Sequence, residues 1–600
     1  MTSSLLSSPG TRTSIRASNP HPAPIMLIVL VALLLVVVLT IGWASRDWTM
    51  LHGLRLPDND DMMRLAEVRD WLGGQAFNDL SQHRLGPPGG ASMHWSRIAD
   101  AIPAAIVFLL TPLVGTFDAE LTMIFAYPAL LFFAYLLLLS RIARRMAGDD
   151  ARIPAVILGA LAFPTTSLFI PGRIDHHALQ IVLTLCVFDG VLARPTLRNG
   201  LIAGTATALS LAIGLETAPE IVAAMGVLGL LWVSGNSNDD RRLAGFGAAM
   251  AGVTLALLAF ARPVIWPAEW CDGFTPNATR ATLVLSAALV ILAFAGRWVA
   301  GMKPRLAIAV PVGVLTGALA FAVAPVCFGG PYGALDPYLQ HAWMSNVAEA
   351  RGLFYSTGLP LTAISYGGLC FASVVVLTTM MADPTLRAKW WPLALLIGFG
   401  TIAAIAQVRV TYIMAGVATL PFAALLARGE ALGGLGTRLM VWVAGCGIVW
   451  SLAAAALFSL TLPPAVAEQR KLDGLCSDGR VLRQLARMPK GVVMAPLDTG
   501  AYVIGMTPHR AVAAPYHRNN AGNLAMYRFF LSRPDRALQI AQTWSVDYVV
   551  TCPSSLDQDE VRPERPGSLI ELLQAGHTTA WLRPIAGRPG DMMVYRVGPI

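Results

Sequence analysis

Apolar runs long enough to cross a bilayer recur along the chain from Met26 to about Leu462, separated by short polar clusters. A membrane helix needs roughly 20 apolar residues. On that measure the pattern predicts about thirteen spans, at 25–43, 121–140, 153–170, 178–193, 200–215, 219–234, 243–261, 281–296, 306–325, 359–381, 390–407, 411–427 and 439–462. The shorter piece Ile102 to Val114 reads as an interfacial or re-entrant segment, because counting it as a span would invert the basic turns that follow. The first run follows a polar tail with Arg12 and Arg16 and has no small-residue cleavage site, so it reads as an uncleaved span.

Beyond Leu462 the pattern becomes α/β. Val492 to Ala495, Ala511 to Ala514 and Tyr548 to Thr551 read as short buried strands, and Ala525 to Leu531, Ala537 to Trp544 and Leu569 to Leu573 as helices between them. The expected organisation is a tail over 1–24, a polytopic α-helical membrane domain over 25–462 and a C-terminal α/β domain over 463–600. No glycine-rich phosphate fingerprint follows a strand, which leaves nucleotide binding without support. No internal repeat suggests an inverted-repeat transporter.

Composition agrees with a membrane protein: 55% of the 600 residues are hydrophobic and 13% charged, against about 25% charged in soluble domains. The net charge of +8 does not point to nucleic acid, because much of the positive charge lies in turns between apolar runs. Those turns carry Arg141, Arg144, Arg145 and Arg152; Arg194 and Arg198; Arg241 and Arg242; Arg297, Lys303 and Arg305; Arg387 and Lys389; and Arg428 and Arg438. Positive residues favour the cytoplasmic side. The N-terminus is therefore expected inside, and an odd number of spans places the C-terminal domain outside, in the periplasm of a bacterial inner membrane. Cys186, Cys370 and Cys446 fall within spans and read as small apolar residues. Cys476 with Cys552, and Cys271 with Cys327, fall in exported segments, where each pair can form a disulfide.

The exported regions hold most of the unusual residues. Asp58-Asn59-Asp60-Asp61, in the exported loop 44–120, begins the helix-patterned stretch Met62 to Leu72. Capping accounts for Asp58 or Asn59, but three acids beside Arg64 exceed what a cap requires. Acids and imidazoles near lipid persist where they bind a cation, pair with a base or carry chemistry. Arg173-Ile174-Asp175-His176-His177 is a tight turn between spans, and its Asp-His-His supplies one oxygen and two nitrogens suited to a divalent cation. A solvated cap at Asp175 and a hydrogen-bonding interfacial His177 are the plain alternatives. Glu216 and Glu220 read equally as caps or site residues. The exported loop 327–358 is long, irregular and rich in aromatics, which favours function.

The layout resembles the catalytic subunit of oligosaccharyltransferase, a GT-C membrane glycosyltransferase, over nearly the whole chain. Family members place one acid in the first exported loop and an Asp-x-Asp/Glu motif in the second; Asp60 or Asp61 matches the first, and Asp175 with His177 occupies the second. Asn346-Val347-Ala348-Glu349 is similar to the family's glutamate motif, and Val408-Arg409-Val410-Thr411-Tyr412 to its donor-phosphate arginine element. The resemblance implies a divalent cation, Mg or Mn, held by Asp60, Asp61, Asp175 and His177, with Asp60, Asp61 and Glu349 catalytic and Arg409 on the donor phosphate. The family's Trp-Trp-Asp-Tyr-Gly motif is replaced by Pro496-Leu497-Asp498-Thr499-Gly500. Asp498 is therefore expected to cap a turn or to contact a sugar hydroxyl on the acceptor side, with Glu216 near it. His177 in place of a second acid sits less well with magnesium and manganese, which favour oxygen.

The implied activity is transfer of a sugar or oligosaccharide from a polyprenyl phosphate or pyrophosphate donor to a glycan, lipid or peptide acceptor at the periplasmic face. Two other readings compete. A lipid-linked glycan flippase would line a path through the membrane with charge, and a non-catalytic envelope assembly protein would leave the series of acids unexplained.

Overall fold

The computed structural model describes residues 25–235, 237–354, 361–461, 476–553, 556, 561, 566–588 and 590–598. The tail 1–24, the expected boundary at 462–463 and the end of the loop 327–358 lie outside the described residues. Among the described residues, eight helices are long and apolar enough to cross a membrane, from Ile25–Leu51 to Val408–Leu426, and the pair Leu435–Ala444 and Gly447–Leu460, bent by 75°, makes a ninth if it is one span. Ala101–Val114, His177–Leu192, Leu197–Ile213 and Ala218–Val233 are apolar but shorter. The fold is thus a polytopic α-helical bundle carrying a small sheet.

Lipid, not protein, covers much of the bundle. Ile25–Leu51 buries only Ile28, Ala32, Val36 and Leu51, and Met302–Val323 buries only Arg305. Inside, small residues set the closest helix contacts. A Cβ at Gly200 would come within 2.1 Å of the Arg242 carbonyl, and one at Gly204 within 2.2 Å of the Phe246 carbonyl. Only glycine lets Leu197–Ile213 lie this tightly on Ser237–Phe260.

Two expected spans are interrupted. The stretch 153–170 forms a helix only over Arg152–Ala160, followed by a 3-10 turn over Thr165–Phe169. Pro164 between them has no amide to donate and clashes with the preceding turn. The stretch 439–462 bends at Gly445 and Cys446, where the Trp450 indole donates to the Ala444 carbonyl at 2.9 Å. Ala101–Val114 is too short to cross a bilayer, and Gly115, with φ of 83°, turns the chain directly into Thr116–Ala147.

The C-terminal part is a five-stranded mixed sheet in the spatial order Arg510–Ala511, Val492–Met494, Val546–Thr551, Met593–Val597, Leu582–Gly587. The first three strands run parallel and the last two join antiparallel. Asn520–Leu531, Pro534–Thr543 and Leu569–Gln574 supply the expected helices. Helix Leu497–Met506 lies along Asn59–Leu72. Arg69 donates to the Gly505 carbonyl at 2.7 Å and to Glu120 at 2.7 Å, tying both helices to the bundle. Cys271 pairs with Cys327 and Cys476 with Cys552 as disulfides.

Candidate active site

Asp58 begins the site. Its backbone is extended, its Oδ1 accepts from the Asp60 amide at 3.2 Å, and it caps helix Asn59–Leu72. The next three residues then face three directions, as a helix requires. Asn59 reaches the sheet unit, donating from Nδ2 to Asp498 Oδ1 at 2.9 Å, while its carbonyl accepts from Tyr516 Oη at 3.1 Å. Asp60 lines a cavity of about 460 Å³ between bundle and sheet.

Asp61 does not line that cavity. It is fully buried, and its Oδ1 accepts from the backbone amides of Ile174 and Asp175 at 2.8 and 2.9 Å. Arg173 lies 3.2 Å from its Oδ2 and 2.6 Å from Asp58. The side chain expected as a metal ligand is therefore committed to holding the Arg173–Asp175 turn against the first helix.

That turn presents Asp175, His176 and His177, whose ligand atoms all lie within 4.8 Å of one another. Asp175 Oδ1 contacts His176 Nδ1, and Arg64 Nη2 stands 3.6 Å from the same oxygen. Asp175 Oδ2 is buried, lacks a hydrogen-bond partner and lies 3.3 Å from His177 Nε2. A buried carboxylate oxygen without a partner beside an imidazole nitrogen, with the Asp60 carboxylate close enough for its charge to be felt at Asp175, fits a cation.

His176, read from the sequence with Asp175 and His177 as one oxygen and two nitrogens, contacts Asp175 from the other side. Its Nδ1 faces Asp175 and Arg64, and its Nε2 is 3.4 Å from Glu216 Oε1. Burial works against its charged form, but Asp175 and then Glu216 outweigh it and push its pKa up to about 10. Reciprocally, burial opposes ionisation of Asp175 while His176 and His177 hold it well below the usual carboxylate range. Asp60 moves the other way: burial first, then the charges of Asp175 and Asp58, raise it well above that range. Acids close together with pKa values pushed apart are a signature of a working site.

A buried layer fixes the turn from below. Arg64 donates to Asp100 Oδ1 at 2.7 Å and lies over the Trp95 ring at 4.5 Å. The Trp95 indole donates to Glu67 Oε2 at 2.5 Å, and Arg97 bridges the Glu67 carbonyl at 2.8 Å and Asp100 at 3.2 Å. None of this was read beyond noting Arg64, because the bonds Arg64–Asp100, Trp95–Glu67 and Arg97–Glu67 join residues 28 to 36 positions apart in sequence.

Glu349, Arg409 and Asp498 line the same cavity as Asp60 and His177. Arg409 donates to the Tyr332 hydroxyl, and the Glu349 charge acts on both Asp60 and Arg409. Glu216 was expected near Asp498 on the acceptor side. Instead it stands with Arg409 and Tyr332 where this cavity meets a second one of about 480 Å³, held by Gln180 Nε2 at 3.0 Å. The walls of the second cavity are largely apolar, including Leu211, Ile221, Val222, Met225 and Leu285. His517 lies at the same junction and donates to Asp272 Oδ2 at 2.5 Å, with Arg518 on Asp272 Oδ1 at 2.6 Å. Glu220 is buried and lines neither cavity.

The bundle, its first-loop helix and its sheet share their fold with a solved archaeal membrane enzyme. The chain is similar to the oligosaccharyltransferase of Archaeoglobus fulgidus: its apo form superposes with a TM-score of 0.65 at 16% identity, over 88% of this chain and 69% of that one. The same archaeal enzyme, AglB, in complex with an inhibitory peptide and a dolichol-phosphate gives 0.63 at 17% identity, again over 88% and 69%. Its complex with Zn and sulfate gives 0.59 at 17%, over 88% and 68%. No protein-family model and no curated protein matches the sequence.

Proposed function

We propose that the protein is a membrane glycosyltransferase that moves a sugar or oligosaccharide from a polyprenyl phosphate or pyrophosphate donor to an acceptor at the periplasmic face of the inner membrane. One observation carries the reading. A single cavity joins an acid, Asp60, and an imidazole, His177, which lies 3.3 Å from Asp175 Oδ2, to an arginine, Arg409, at the mouth of an apolar groove. A lipid-linked sugar has this sequence of chemistries: an apolar tail, an anionic phosphate and a polar glycan.

The roles follow from placement. The prenyl chain lies in the groove walled by Leu211, Ile221, Met225 and Leu285. Arg409, positioned through Tyr332, receives the phosphate, where its fork stabilises charge as the bond to the sugar breaks. Asp60 and Glu349 face the space where an acceptor would sit, and one of these carboxylates takes the proton of the nucleophile. A divalent cation held by Asp60, Asp175 and His177 would offset phosphate charge beside Arg409. The mixed nitrogen and oxygen donors suit manganese or zinc better than magnesium, and the A. fulgidus neighbour was solved with Zn. His176 and Glu216 hold the Asp175 turn rather than contact the donor.

The deciding experiment is reconstitution of the purified full-length protein with lipid-linked glycans extracted from its host membranes. Release of polyprenyl phosphate together with a glycosylated product is expected. Intact donor in the presence of Mn²⁺ and envelope glycans would refute the reading.

A further inference from the structure

Resting on the glycosyltransferase reading, we infer that Glu220 is a positioning residue of the donor site: its carboxyl takes up the Nε–H of Arg409 from behind, which leaves the terminal nitrogens of the guanidinium to the donor phosphate. Two orphaned groups match. Both carboxyl oxygens of Glu220 are buried without a hydrogen-bond partner, and so is Arg409 Nε. Such groups are rare inside proteins, and each costs free energy until something satisfies it. One of these accepts and the other donates.

Placement brings them together. Glu220 lies in the first turn of Ala218–Val233, which packs on Pro384–Ala406, and that helix runs through Gln407 into the Val408–Val410 turn carrying Arg409. The charge that acts on Glu220 is that of Arg409, and the remaining polar group at its carboxyl is its own backbone amide. Pro219, Ile221 and Val222 line the apolar groove with Arg409, whereas Glu220 lines neither cavity, so it meets the arginine from the protein side. The two are not in direct contact here; the bond runs through a bridging water or forms as the Arg409 side chain turns. Starting the helix does not account for Glu220. An acid in a first turn is favourable at the surface as well, but Glu220 is only 1% exposed, and burying a carboxyl is costly unless it has a partner.

Arg409 needs holding because acids compete for it. Glu216 and Glu349 line its cavity, and the charges of both act on it. A guanidinium free to swing onto either carboxylate is masked from an arriving anion. With Nε taken from behind and the Tyr332 hydroxyl as a second anchor, the terminal nitrogens stay where two phosphate oxygens can accept from them as a fork. Glu220 itself touches neither donor nor acceptor.

The test titrates undecaprenyl phosphate into the full-length protein in detergent micelles, with the bound fraction read by native mass spectrometry. Glu220→Leu should weaken binding about tenfold, whereas Glu220→Gln, which keeps an oxygen for the Nε–H, should stay within about threefold of wild type. In the Arg409→Lys background, which has no Nε–H, Glu220→Leu should make no further difference. Glu220→Ala makes the same comparison should the leucine variant not fold. Unchanged or tighter binding by Glu220→Leu would show that the carboxyl does nothing for Arg409 or competes with the phosphate for it, and an equal loss in both backgrounds would show that it only supports its helix. Either result overturns the inference and leaves the donor site standing. Failure of the wild-type protein to bind undecaprenyl phosphate would instead strike the glycosyltransferase reading, and this role with it.

Discussion

Asp61 should behave as a latch and not as a cation ligand, and two substitutions separate the roles. Its Oδ1 accepts two backbone amides at 2.8 and 2.9 Å, and Arg173 stands 3.2 Å from Oδ2. Hydrogen bonds to a charged group contribute about 1.5 to 3 kcal/mol each, so Asp61→Ala should cost roughly 3 to 6 kcal/mol from the two amide bonds. Arg173 keeps Asp58 at 2.6 Å, which limits the further loss. Asp61→Asn keeps an oxygen for both amides and loses the charge, so it should cost about 1 to 3 kcal/mol. Thermal unfolding of full-length protein in detergent, followed by tryptophan fluorescence, should rank wild type above Asn above Ala. Calorimetric titration with Mn²⁺ should show the Asn variant binding within a few-fold of wild type and the Ala variant weakened along with its displaced Asp175 turn. Abolished Mn²⁺ binding by Asp61→Asn at an unchanged unfolding midpoint would refute this, because only direct coordination produces that combination.

Asp175→Asn and His177→Ala should each lower Mn²⁺ affinity by more than tenfold in the same titration, since both donors lie at the partnerless Asp175 Oδ2. Arg409→Ala should weaken undecaprenyl phosphate binding on the order of 10- to 100-fold, with Arg409→Lys intermediate because it keeps the charge and loses the fork; equal affinity in all three proteins would remove Arg409 from the phosphate site. Asp272→Asn should destabilise the fold at neutral pH. Burial opposes ionisation of Asp272, but Arg518 and His517 outweigh it and hold its pKa below the usual range. With the folded pKa lowered, the stabilisation is present above the unfolded pKa of about 4 and is lost as pH falls through the folded one. The difference in unfolding midpoint between wild type and Asp272→Asn should therefore be wide at pH 7 and start to shrink only as pH falls below about 4; a pH-independent difference would contradict it.

The bundle was legible in the sequence because lipid imposes one demand on every exposed helix face. Ile25–Leu51 is apolar around its whole circumference, and no tertiary partner is needed to read it. Interruptions were harder to see: 153–170 reads as one apolar run, and the break at Pro164 depends on how Thr165–Phe169 packs against Thr411–Leu426. The last two strands were missed for a related reason. Leu582–Gly587 is an edge strand with five exposed or half-exposed residues in succession and Pro584 within it, so the two-residue alternation that marks a half-buried strand is absent.

At the site, residue types were legible and directions were not. Asp60 and Asp61 are chemically identical neighbours, and on a helix they project about 100° apart. Which of them faces the cavity is decided elsewhere: Asp58 sets the helix start, and the Arg173 turn captures Asp61 through two amides and an ion pair. His176 and His177 pose the same problem. Both line the cavity, but His176 is held between Asp175 and Glu216 with Arg64 on its Nδ1, while His177 approaches Asp175 Oδ2. A run of acids or histidines thus announces chemistry without saying which member performs it. The member that does is the one its distant neighbours leave free: Asp60 lines the cavity, and Asp175 Oδ2 is left without a hydrogen-bond partner beside His177.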